Sequence, residues 1–166
     1  TKPFANQENL QLAKQLLEKA EVTRSFKHVL TERMVEYCYF HEEQTRELDA
    51  WLVSLNPGEL TKKTRVYLIG LCILRGYSKE AFEYVSAYGS DGISPDLLLK
   101  MTVRRITETL YEYSETLIML CVRLLQAEQV HETLLRYLCM HYVGPTQDMY
   151  NLLCAAYDAK ADSKDL

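Results

Sequence analysis

Glycine, proline and helix-capping residues divide this sequence into stretches whose apolar side chains recur at a helical spacing. The chain has six glycines and four prolines, and nearly all of them lie between these stretches. In the first stretch, Leu10, Ala13, Leu16 and Leu17 fall on one face of a helix. No segment alternates apolar and polar residues in the manner of a strand. The pattern predicts an all-α chain of about nine helices.

The helix boundaries follow from the start and stop signals. Asn56-Pro57-Gly58-Glu59 resembles a capping box with proline at the first helical position, Gly76 and Gly89 are stops, and Ser94-Pro95-Asp96 is a start. The predicted helices begin after residue 6 and at residue 45, and span residues 23–42, 57–75, 79–88, 95–110, 114–127, 131–142 and 146–159.

Spacings of about 33–34 residues recur between these helices. Cys38 and Cys72 are 34 positions apart, and Cys121 and Cys154 are 33 apart. A two-helix repeat needs this length, because two helices and two turns fill it. We therefore expect stacked antiparallel hairpins, an α-solenoid or tetratricopeptide-like right-handed superhelix, with an irregular middle over residues 89–114. A compact, irregular α-bundle is the alternative, since short connections fit both.

Composition excludes several classes of protein. The formal charge of −4 argues against a nucleic-acid platform, which needs a basic surface. No apolar run approaches the length of a membrane-spanning helix, and no signal peptide opens the chain. The five cysteines are scattered in apolar runs, which indicates reduced thiols and a cytoplasmic location. The polar ends and the absence of an initial Met suggest one helical-repeat domain, residues 1–166, from a longer protein.

Residues that could carry chemistry are few. Cys38 and His41 have a spacing at which two metal ligands converge on a helix, but no second pair accompanies them. Glu42 and Glu43, with the nearby Glu47, have the pattern of a solvated face. No glycine-rich phosphate loop is present. We therefore predict no catalytic residue, no metal and no cofactor, and hence no enzyme.

The chain has twelve tyrosines, many for its length. Tyrosine and arginine are favoured at binding hot spots, so a tyrosine-rich groove for a peptide or a partner domain is one interpretation. Packing between repeats is the other. Trp51, spaced with Leu48, Leu52 and Leu55, is predicted to lie in the core. The candidate partner-binding residues are Tyr84, Tyr88, Arg104, Arg105, Arg123, Arg136 and Tyr137.

Several segments carry a resemblance to a known family: NLQLAKQLLEK, VTRSFKHVLTERMVEYCY, LVSLNPGEL and HETLLRYLCMHYVGPTQDMYNLLCAA. They resemble a domain-of-unknown-function family of large, uncharacterised proteins from Gram-positive bacteria. The resemblance covers nearly the whole chain and implies degenerate, tetratricopeptide-like helical repeats inside a multidomain protein. It implies no activity, cofactor or site residue. Residues 148–157 also resemble the first helix of a pentatricopeptide unit.

These observations favour a non-enzymatic scaffold that binds a protein, a peptide or other domains of its own chain. An RNA-binding repeat array is the alternative, and it would require a basic stripe with polar readout residues. An enzyme would require a ligand near Cys38 and His41. A spacer that holds flanking domains apart would have the same sequence features as the scaffold.

Overall fold

The computed structural model describes residues 7–109 and residue 120. All regular elements in that part of the chain are helical, which confirms the all-α prediction. The chain divides into two compact units, Thr1–Glu80 and Ala81–Leu166, and each is described by itself. The prediction of a single domain over residues 1–166 stays a prediction. The α-helices are α1 (Gln7–Glu18), α2 (Arg24–Phe40), α3 (Asp49–Ser54), α4 (Lys62–Leu74), α5 (Ser78–Tyr88) and α6 (Pro95–Thr109).

In the first unit, α2 lies between α1 and α4 and packs against both. Its inward face presents Met34, Val35 and Cys38, which are fully buried. On α4 the apolar residues from Leu68 to Ile73 are nearly all buried, as expected for a helix that is apolar over most of its circumference. Each large side chain buried here contributes about 1.5–3 kcal/mol. The α2–α4 contact is therefore the centre of this unit's core.

The start of α2 and the end of α4 have the local signals that helix boundaries require. Thr23 accepts a hydrogen bond from the Phe26 amide at 3.3 Å and so caps α2. After α4, Gly76 adopts a φ of 85°, which an L-residue with a side chain rarely adopts. The predicted stop before α5 is therefore confirmed.

Two predicted boundaries in the first unit are wrong. The Asn56 motif heads a separate 3₁₀ turn, Pro57–Glu59, and not the first turn of α4. Leu60 is then extended and buried, and Thr61 caps a new helix that begins at Lys62. A helix predicted from residue 45 is replaced by 3₁₀ turns at Glu42–Gln44 and Arg46–Leu48, followed by the short α3.

Trp51 lies on α3, between buried neighbours. Leu48 and Leu52 are buried as predicted, but Trp51 itself is only partly buried.

The described part of the second unit contains most of α5 and all of α6. The predicted helix stop at Gly89 and the predicted start at Ser94 are confirmed. Gly89 has a φ of 88° after α5, and the Leu97 amide donates to Ser94 Oγ at 3.3 Å at the start of α6. Val85, Leu98 and Met101 are buried. Leu120 is helical and buried. Apart from Leu120, the helices predicted over 114–127, 131–142 and 146–159 lie outside the described residues. The predicted total of about nine helices therefore stays a prediction.

Within residues 7–109 and 120, no helix is both long and apolar enough to cross a membrane.

Candidate interaction surface

Three aromatic rings meet where the end of α2 lies beside α4. The Tyr39 and Tyr67 ring centroids are 4.8 Å apart, and Phe40 meets Tyr67 at 5.6 Å with the planes at 65°. Tyr39 and Phe40 themselves are in an edge-to-face arrangement at 5.3 Å. The Lys63 ammonium lies 5.9 Å from the Tyr67 centroid, within the range of a cation–π contact. We call Tyr39, Phe40, Tyr67 and Lys63 the aromatic cluster.

The aromatic cluster is open to solvent. Phe40 is 61% exposed, the largest exposed fraction among the large apolar side chains that the structure describes. Tyr39 and Tyr67 are partly exposed. Edge-to-face pairs contribute about 0.5–1.5 kcal/mol beyond area burial, so the rings hold one another in place. Aromatic side chains are among the residues enriched at protein interfaces.

Glu32 fixes α2 against the start of α4. Its carboxylate accepts hydrogen bonds from the Thr61 amide at 2.7 Å and the Thr61 hydroxyl at 2.8 Å, and a further one from the Thr64 hydroxyl. His28 approaches the same carboxylate at 3.6 Å. Burial of Glu32 acts to raise its pKa, but the hydrogen bonds from Thr64 and Thr61 outweigh it and hold the pKa below the ordinary value. The carboxylate also faces the positive end of the α4 dipole.

Arg75 fixes the other end of α4. Its guanidinium pairs with the Asp49 carboxylate and donates to the carbonyls of Glu42 at 3.0 Å and Thr45 at 3.2 Å. It also donates to the Thr45 hydroxyl at 2.5 Å. The Tyr77 hydroxyl donates to the second Asp49 oxygen at 3.2 Å. The irregular segment that follows Phe40 is therefore tied to α4, and this holds the end of α2 beside Tyr67.

The two described thiols are buried, and burial disfavours their thiolate form. Burial raises the pKa of Cys38 to about 11, against a hydrogen bond from Thr45 that lowers it. Burial raises the pKa of Cys72 to about 12, and the nearby Glu80 carboxylate adds to the rise. Both thiols are reduced and buried. They act as small apolar side chains, because the thiolate is the reactive form.

His41, whose spacing from Cys38 is typical of two metal ligands on one helix, packs against Tyr37. Its ring stacks on Tyr37 with the centroids 4.1 Å apart, and its Nδ1 lies 3.1 Å from the Tyr37 carbonyl oxygen. Over residues 7–109 and at residue 120, no three His, Cys, Asp or Glu side chains are grouped to hold a metal ion.

Four of the candidate partner-binding residues lie in the described part of the second unit. On α6, Arg104 Nε is 3.3 Å from Glu108 Oε1, and Arg105 Nη1 is 3.9 Å from Oε2 of the same carboxylate. The Arg105 guanidinium also lies 5.4 Å from the Phe82 centroid. On α5, Tyr88 is 41% exposed and Tyr84 is partly buried.

The structure thus brings Arg104 and Arg105 together on one acidic side chain. The groove that was predicted around these arginines and tyrosines stays a prediction. Arg123, Arg136 and Tyr137 lie outside the described residues.

The sequence patterns did not predict the aromatic cluster. Tyr39 is recognisable there as one of two tyrosines on its helix, but no local pattern shows that Tyr67 is its neighbour. The adjacent aromatic pair Tyr39-Phe40 at the end of an apolar stripe is the one sequence signal that could have indicated it.

In the part of the chain that the structure describes, the regular elements are all helical and an aromatic cluster is exposed at the end of α2. The chain belongs to a family of unknown function, DUF5717: residues 1–112 match the model of the family's N-terminal part and residues 114–166 that of its C-terminal part. The resemblance to a domain-of-unknown-function family is confirmed to that extent. No curated protein and no solved structure matches the chain.

Proposed function

We propose that this chain is a non-enzymatic protein-interaction scaffold, and that the aromatic cluster is a contact surface for a partner protein. The exposure of Phe40 is the observation that carries the proposal. Its large apolar ring is 61% exposed, yet it is in contact with the rings of Tyr39 and Tyr67, which hold it in place. Holding such a ring in one position before binding reduces the entropy lost on association. Its neighbours Tyr67 and Lys63 add a polar rim.

The arrangement we propose for the helices is a degenerate, tetratricopeptide-like stack in a cytoplasmic protein of Gram-positive bacteria. Successive packing of α1 on α2 and of α2 on α4 supports hairpins that stack in sequence order within the first unit. The resemblance of the sequence to a family of Gram-positive bacterial proteins supports the proposed bacterial origin.

The chemistry of the described residues favours a scaffold over an enzyme. The partly buried carboxylate of Glu32 and the buried guanidinium of Arg75 are both engaged with backbone and hydroxyl groups that connect helices. Their polar atoms therefore maintain the packing that positions the aromatic cluster.

Affinity purification of the tagged protein from the cells it comes from tests the proposal. We compare the wild type with Phe40→Ser combined with Tyr67→Ser, and with Leu12→Ser as the control. Leu12 is 56% exposed on α1, so the control removes a similarly exposed apolar side chain outside the aromatic cluster. Hot-spot truncations typically cost at least 2 kcal/mol, which predicts a loss of at least about tenfold in the partner's recovery.

The proposal expects a partner that co-purifies with the wild type and with Leu12→Ser, resists ribonuclease and is depleted from the double variant. The same set of proteins from all three samples would contradict it. A partner that ribonuclease removes would favour RNA binding instead.

A further inference from the structure

A second surface lies at the other end of α2, roughly 20 Å along the helix from Phe40 given a rise of about 1.5 Å per residue. It is a groove of about 700 Å³ between the first two turns of α2 and the segment from Leu55 to Leu60. Arg24, Lys27 and His28 line one side, and Glu59 lies on the other. We call it the basic groove. Its size is that of a binding cleft.

The basic groove is positive on a chain that is negative overall. Arg24 and Lys27 are basic, and Glu59 is the single carboxylate of the lining, whereas the whole chain has a formal charge of −4. The Glu32 carboxylate lies behind the lining, 3.6 Å from His28, and is engaged by Thr61 and Thr64. The first turn of α2 contains no acidic residue, and its N-terminus adds the positive end of the helix dipole. The local field therefore attracts an anionic group.

The placement of these cations has a stability cost. Arginine and lysine at a helix N-terminus oppose the dipole, where an acidic residue would stabilise the helix. Local choices that conflict with stability are expected at functional sites. Arg24 and Lys27 thus act against the stability of their own helix.

Part of the lining of the basic groove is aliphatic. Val29, which is 55% exposed, lines the groove together with Leu55 and the buried Leu60. None of the residues that line it is aromatic, so no ring is present on which an unstacked nucleic-acid base could rest. Cations around aliphatic side chains match a peptide that carries both carboxylates and an apolar side chain.

The wall formed by residues 55–60 is held rigidly. Arg65 donates to the Pro57 carbonyl at 3.1 Å and to the Leu60 carbonyl at 3.2 Å. Asn56 accepts from the Gly58 amide at 3.0 Å, and Glu32 holds the adjacent Thr61. A wall fixed in advance loses little entropy when a ligand binds.

We propose that the basic groove binds an acidic segment of a partner protein, with carboxylates on Arg24 and Lys27 and an apolar side chain on Val29. This inference rests on the proposed scaffold function and gives it a second, chemically defined contact. The basic side chains of the groove and the aliphatic part of its lining together specify the occupant.

Fluorescence anisotropy tests it with a short, fluorescein-labelled peptide rich in glutamate with two leucines at its centre. Arg24→Glu combined with Lys27→Glu should weaken binding at least about tenfold, and Val29→Ser about threefold or more. Arg46→Glu combined with Lys100→Glu, both at exposed positions outside the groove, should change affinity less than about twofold. Salt should weaken binding to the wild type.

The expected loss of peptide binding by Arg24→Glu combined with Lys27→Glu can be told apart from unfolding. Glutamate at positions 24 and 27 favours the α2 N-terminus, so the double variant should melt at a higher temperature than the wild type while binding less. A variant that binds less and also melts lower would overturn the inference.

The inference is overturned as well if the peptide does not bind, if both charge-reversal pairs weaken it equally, or if an oligouridine probe binds as tightly with the same dependence on Arg24 and Lys27. Phe40→Ser should leave peptide binding unchanged. Failure of the aromatic cluster to retain a partner in cells would therefore count against the proposed function, and absence of peptide binding against the groove.

Discussion

Replacing Arg75 by methionine tests whether one buried guanidinium holds the segment that follows α2. The Arg75 side chain is 2% exposed and pairs with Asp49, while it also donates to two carbonyls and the Thr45 hydroxyl. Removing one partner of a buried pair costs about 3–5 kcal/mol. Asp49 is 21% exposed and keeps the hydrogen bond from Tyr77, so we expect the lower end, about 3 kcal/mol.

Urea unfolding followed by far-ultraviolet circular dichroism measures this free energy of unfolding. Arg46→Met is the matched control, since Arg46 is 63% exposed and its ion pair with Glu43 is exposed too. The control should change stability by less than about 1 kcal/mol. A coupling energy between Arg75→Met and Asp49→Leu of about 2 kcal/mol is also expected from their contact. A loss in Arg75→Met below about 1 kcal/mol, equal to that of the control, would refute the reasoning.

Three further predictions concern titratable groups. Because the pKa of Glu32 is lowered from 4.5, its stabilisation is present above pH 4.5 and is lost as the pH falls through the lowered value. Glu32→Gln should cost about 1–2 kcal/mol at neutral pH, and urea titrations should show this difference vanish in acid; a difference independent of pH contradicts it. Iodoacetamide at mildly alkaline pH should leave Cys38 and Cys72 unlabelled until urea is added, as peptide mass spectrometry reports; rapid labelling of the native protein would show that these thiols are accessible. Since their pKa values rise from 9.0 to about 11 and 12, their contribution to stability is complete below pH 9.0 and is lost as the pH rises through those values.

The helix ends were predictable where a local signal determines them. Gly76 and Gly89 end helices because each takes a positive φ, and Ser94 with Pro95 begins one through the hydroxyl cap and the fixed proline φ. These signals act over a few residues and so are visible in the sequence.

The misplaced elements depend on contacts across the chain. The 3₁₀ turns after α2 are bonded to Arg75, about thirty residues later in the sequence. The start of α4 is set by Glu32, which lies 29 residues before Thr61. The aromatic cluster likewise needs the register of α2 against α4, which packing and not local spacing decides.

Photo-crosslinking at position 40 tests the central claim most directly. A benzoylphenylalanine placed at Phe40 in the protein, in its own cells, replaces one exposed aromatic ring by another. The same group at Leu12 is the control, since that side chain is similarly exposed, at 56% against 61%. The scaffold proposal predicts a discrete protein adduct from position 40 that position 12 does not give. The same adducts from both positions, or RNA as the main adduct from position 40, would contradict it.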